Sequence, residues 1–77
     1  MIDVLKGAFV EGLGLKGDVD WGSLAYRSVP EWDSLGHMTL IAAIETVFDI
    51  MLDIDDVIGM SSFIVAQKIV AKYASAA

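Results

Sequence analysis

The chain has 77 residues, 56% of them hydrophobic, no cysteine and a formal charge of −6. That length suits one domain, and so short a chain buries only about 60% of its unfolded surface, which leaves little interior for a catalytic cleft closed to water; an enzyme is not expected. The missing cysteine excludes disulfides, Cys-ligated zinc and a thiol nucleophile, while the acidic balance argues against nucleic acid, whose phosphates need clustered Lys and Arg.

Ile2, Leu5, Phe9 and Leu13 recur at helical spacing until Gly12 and Gly14 break the pattern, which predicts a first helix over about residues 2–12. Residues 14–32 follow as a long loop, punctuated by Gly14, Gly17, Gly22 and Pro30. Trp21, Leu24, Tyr26, Val29 and Trp32 are its expected anchors on a helical core, and loops of this length are often functional. Asp33 suits an N-cap, because its carboxylate accepts backbone N–H groups that a helix start leaves unpaired. Ser34 then falls in the first turn of a second helix, whose pattern runs to about residue 50. A short helix is predicted over about residues 55–60, between Asp53 and the pair Ser61, Ser62. Ser62 caps a last helix with Phe63, Ala66, Ile69, Val70 and Tyr73 on one face and Lys68 and Lys72 toward its negative end. The Ala-rich end, residues 74–77, is expected to fray. Nothing alternates with period two for long. The expected architecture is all-α, a small four-helix bundle of three longer helices and one short one with a long loop after the first, forming a single domain over residues 1–77.

No stretch approaches the roughly 18 apolar residues of a membrane span. Met1-Ile2-Asp3 lacks the basic start of a signal peptide, so a cytoplasmic protein is expected. Charge is unevenly placed: residues 1–27 sum to −1, residues 28–67 to −7 with no base at all, and residues 68–77 to +2. A one-signed surface of this kind raises encounter rates with basic partners, although it also serves solubility alone. On a helical wheel the second helix collects Leu40, Ile41, Ile44, Val47 and Phe48 on a core face. The opposite arc holds Ser34, Leu35, Met38, Thr39, Ala42, Glu45, Thr46 and Asp49, an apolar strip edged by acids beside a serine. Leu35 and Met38 would be poor choices for a purely solvated surface.

Asp33-Ser34-Leu35, near the midpoint of the chain at the start of a long helix, resembles the attachment motif of the acyl carrier protein family. The resemblance extends over nearly the whole chain: Glu45 and Phe48-Asp49 toward the end of that helix, Asp55-Asp56 in the short helix, and Ser61-Ser62-Phe63 leading into the last. It implies that Ser34 receives 4′-phosphopantetheine from coenzyme A through a separate phosphopantetheinyl transferase, with Asp33 and Leu35 completing the motif. It also implies a carrier that holds an acyl group as a thioester and presents it to acyl-loading and acyl-transferring enzymes with basic docking surfaces. Leu35, Met38, Glu45, Asp55 and Asp56 match the positions through which such carriers meet those enzymes. Gly36 and Thr39 stand where carriers of primary fatty-acid synthesis tend to have acids, which points to a specialised member serving a modified acyl group, a polyketide or an amino acid. An aminoacyl or peptidyl carrier is the alternative within the class; outside it, a cofactor-free helical module binding a basic partner through Leu35, Met38 and the acids.

Other chemistries fit less well. Asp33, Ser34 and His37 carry the side chains of a nucleophilic triad, but a triad also needs an oxyanion site and a substrate pocket. His37 lies toward the core side of the wheel, where capping the end of the bundle or touching the long loop is the expected role. A calcium loop begun at Asp53 would set Val57, Ile58 and Ile64 where an oxygen ligand, a glycine and a glutamate belong. Trp21 and Trp32 are read as loop anchors rather than a ligand cage.

Overall fold

The computed structural model describes residues 1–75, which form four helices: α1 (Ile2–Leu13), α2 (Ser34–Phe48), α3 (Ile54–Gly59) and α4 (Phe63–Ser75). Each boundary has a local cause. α1 ends where Gly14 turns left-handed at φ 68° and returns its N–H to the Val10 carbonyl. α2 begins at Asp33, whose Oδ1 accepts the Gly36 N–H at 2.8 Å. It stops at Phe48, two residues before the periodicity suggests, because Asp49 takes the left-handed conformation (φ 54°) and donates its N–H to the Glu45 carbonyl. α3 is shifted one residue toward the N-terminus of the predicted segment. Ser62 caps α4 as expected, its Oγ accepting the Val65 N–H at 3.0 Å. Ala74 continues α4; the remainder of the fraying expectation, at Ala76 and Ala77, lies outside the described residues.

The core forms where the apolar faces meet: Leu5, Ala8, Phe9 and Leu13 from α1, Leu40, Ile41 and Ile44 from α2, and Phe63, Ala66, Ile69 and Val70 from α4. α1 and α2 make the most extensive helix–helix contact, and Gly12 permits it. A Cβ on Gly12 would lie 2.8 Å from the Leu40 Cα and 3.2 Å from the Ala43 Cβ, so the two backbones nearly touch. The Thr39 hydroxyl crosses the same seam, 2.6 Å from the Gly12 carbonyl and 2.9 Å from that of Gly36. Val47, assigned to the core face by the wheel, is instead 45% exposed. The cover does not run out along the helix, since Phe48, one position further on, packs against the core; Val47 lies at the edge of the arc, about 60° from Ile44 at its centre.

The long loop is pinned as its aromatic residues suggest. Phe9 is the hub, with edge contacts to Trp21 at 6.2 Å, Trp32 at 5.3 Å and Phe63 at 5.1 Å between ring centroids. Leu24 and Trp32 are buried, Trp21 and Val29 are half-buried, and Tyr26 stays largely at the surface. Backbone pairing finishes the attachment: Ala25 bridges Ser62, Tyr26 donates its N–H to the Ser61 carbonyl at 2.9 Å, and Phe63 donates to Leu24 at 3.0 Å. The loop is thereby fastened to the segment between α3 and α4, on the side where α2 begins. The Cα radius of gyration, 11.3 Å, matches the roughly 11.5 Å of a compact chain of this length.

Candidate functional site

The start of α2 is set by the turn before it. Arg27, in the left-handed region at φ 67°, donates its N–H to the Trp32 carbonyl at 2.8 Å, and Trp32 donates to Val29 at 3.1 Å. With its indole fully buried, Trp32 is a fixed post from which the chain leaves extended through Asp33 and enters the helix at Ser34. Gly36 fills a position no other residue fits. A Cβ there would overlap the Glu31 carbonyl oxygen and sit 3.3 Å from Asp33 Oδ1, because the loop backbone crosses directly over the first turn. Ser34 is exposed, and neither its N–H nor that of Leu35 reaches an acceptor among the described residues. Two backbone donors at the positive end of a 15-residue helix are therefore left without an acceptor among the described residues, beside a serine side chain that makes no hydrogen bond there.

Ser34 lines an open groove of about 380 Å³ between α2 and α3. His37 and Met38 line it from α2, and Ile54, Val57 and Ile58 from α3. Met60, Ser61 and Tyr26 complete it, and no charged side chain lines it. Sequence reasoning did not assign Ile54, Ile58, Tyr26 or Ser61 to a site. The first two, with Val57, have the i, i+3, i+4 spacing of an apolar stripe, a signal too short to weigh in a six-residue helix.

His37 joins the parts. Its ring lies side by side with that of Trp32, 6.1 Å between centroids and 13° between planes, and meets Tyr26 edge-on at 5.7 Å. Nδ1 accepts the Trp32 indole N–H at 2.9 Å, and because an indole only donates, the imidazole proton belongs on Nε2, which donates to the Val57 carbonyl at 2.7 Å. Both ring nitrogens are thus engaged, and Asp33 is turned to the Gly36 amide. Asp33, Ser34 and His37 accordingly do not assemble as a triad, and His37 touches the long loop as the sequence suggested.

The remaining expected contact residues divide into two groups. Leu35 and Met38, 75% and 59% exposed, flank Ser34, and Asp55 is exposed on α3. Glu45 stands eleven positions beyond Ser34, about 16 Å along the helix, where its Oε2 accepts the Leu52 N–H at 2.9 Å. Asp56 is also committed internally: Lys72 Nζ donates to Oδ1 at 2.8 Å and the Tyr73 hydroxyl to Oδ2. The hydrogen bond from Lys72, with that from Tyr73, holds the Asp56 carboxyl below its usual range, and the same bond raises the Lys72 ammonium. For Tyr73, the hydrogen bond from the Asp53 amide favours ionisation; its bond to Asp56 and its burial oppose this, and the phenol is raised. Among the described residues no three His, Asp or Glu side chains converge as metal ligands, and no helix is long and apolar enough to cross a membrane.

Comparison of the chain with protein-family models, with curated proteins and with solved structures returned no match.

Proposed function

We propose that the chain is a non-catalytic carrier of the acyl carrier type, with Ser34 as the attachment point for 4′-phosphopantetheine taken from coenzyme A by a separate transferase. The observation that carries this reading is the exposed Ser34 hydroxyl at the first residue of α2, beside two unpartnered backbone N–H groups and at the edge of an uncharged apolar groove. The Ser34 and Leu35 amides and the positive helix end suit a phosphodiester. When bound, the group supplies a terminal thiol able to hold an acyl group as a thioester, a function this cysteine-free chain lacks. The chain's own residues position and shelter. Asp33 holds the first turn in register, Gly36 lets the loop close over it, and Met38, Ile54 and Ile58 offer an apolar wall. That wall, without a carboxylate to neutralise an ammonium, favours an uncharged acyl cargo over an aminoacyl one.

Partner enzymes with basic surfaces would meet Leu35, Met38 and Asp55, which are exposed on α2 and α3. Glu45 and Asp56 would contribute less, since each already binds within the chain. The test is direct: with coenzyme A and a broad-specificity transferase, the wild-type chain gains the mass of one phosphopantetheine and Ser34→Ala gains none. An unmodified wild type, or a modified alanine variant, refutes the proposal. A cofactor-free interaction module is the second reading, favoured by the exposure of Leu35 and Met38 alone; it predicts partner binding indifferent to Ser34→Ala.

A further inference from the structure

α3 is held unlike the other helices. None of its residues is fully buried, and it spans as a strap between two buried anchors, Leu52 before it and Met60 after it. Its leading end is tied to α4: Tyr73 Oη accepts the Asp53 N–H at 2.9 Å, and Asp56 pairs with Lys72 and Tyr73. On the groove side there is a single polar tie between α2 and α3 among the described residues, from His37 Nε2 to the Val57 carbonyl. That carbonyl needs an outside donor. A helix of six residues leaves its last four carbonyls without intrahelical partners, and Val57 is among them. His37 supplies the donor from across the groove, while its other nitrogen is fixed by the buried Trp32 indole.

We infer that His37 is a latch: its bond to Val57 draws α3 onto α2 and sets the width of the apolar groove beside Ser34, so that an alkyl group enters by displacing the strap from this one tie. The latch follows from the groove geometry alone; its meaning for cargo rests on the carrier reading above. The imidazole is a positioning residue and takes no part in chemistry at Ser34.

Amide hydrogen exchange across the full unmodified chain tests this. In His37→Ala, residues 54–59 exchange about tenfold faster relative to α1 and α4, the scale of one lost hydrogen bond, and His37→Gln, with a donor and an acceptor, restores most of the protection. Acceleration spread evenly over all helices would overturn the latch, as would failure of the glutamine to rescue. If the alanine variant does not fold, the wild type titrated with 1-octanol gives the answer. The His37 Nε2 proton then loses protection in step with the amides of α3, whereas movement of α3 with that proton still protected, or no response of either, overturns the proposal. Mass gain at Ser34 is scored separately. A latch that responds in a chain that never gains the cofactor stands without the carrier reading, and a modified chain with an unresponsive α3 leaves the carrier reading without the latch.

Discussion

Six consecutive residues, Trp32 to His37, each do a different physical job. Trp32 anchors, Asp33 caps, Ser34 presents its hydroxyl, Leu35 faces solvent, Gly36 makes room and His37 reaches across. Gly36 allows the sharpest test at this scale. In an ordinary helix, replacing glycine by alanine is stabilising by up to about 1 kcal/mol. Here the added methyl would meet the Glu31 carbonyl, a backbone atom that cannot rotate aside, so Gly36→Ala should lower stability by about 1–3 kcal/mol in urea unfolding. In the sequence, Gly36 stands out only because the carriers that this chain resembles tend to have an acid there; the crossing loop supplies its reason. The sequence suggests that His37 touches the loop, but not its bond to Trp32, since the partners lie on opposite sides of a helix start and no periodicity joins them.

Among the elements, α1 holds two interior glycines, Gly7 and Gly12; the sequence reads Gly12 as a helix breaker, yet α1 runs through it to Leu13, and packing is what separates the two. Gly7 has open space where its side chain would be, whereas Gly12 lies against the backbone of α2. Gly7→Ala should therefore stabilise the chain by up to about 1 kcal/mol, and Gly12→Ala should destabilise it by about 1–3 kcal/mol by forcing α1 from α2. Urea midpoints for the pair check both signs, and two changes in the same direction would contradict the close approach. α2 offers a related lesson. Its apolar arc was legible for Leu40, Ile41 and Ile44, but Val47 belongs to the same arc and stays exposed.

Across the whole molecule, charge links the short helix to the last one. The Asp56 carboxyl is held below its usual 3.8 chiefly by the hydrogen bond from Lys72, so its contribution is complete above that value and is lost as pH falls through the lowered folded value. Lys72 and Tyr73 are raised above 10.5 and 10.0, so their contributions are complete below those values and fade as pH rises past them. Asp56→Asn should therefore flatten the stability curve below about pH 4 while leaving its slope at neutral pH unchanged. Urea midpoints from pH 2 to 7 provide the measurement, and an acid limb as steep in the variant as in the wild type would show that the pair contributes nothing. Because the tie secures the leading end of α3, the same variant should also speed amide exchange there.

The helices, the Asp33 and Ser62 caps, the anchoring of the loop by tryptophans and the motif around Ser34 are legible in the order of residues, because each rests on spacing and on hydrogen bonds spanning a few residues. Tertiary structure alone decided that Glu45 and Asp56 bind inward, that Gly12 and Gly36 are required by crossing backbones, and that α3 closes a groove onto His37. Those features join residues from 5 (Glu31 and Gly36) to 31 (Gly12 and Ala43) positions apart, and their existence depends on which elements meet, a matter that local periodicity does not encode.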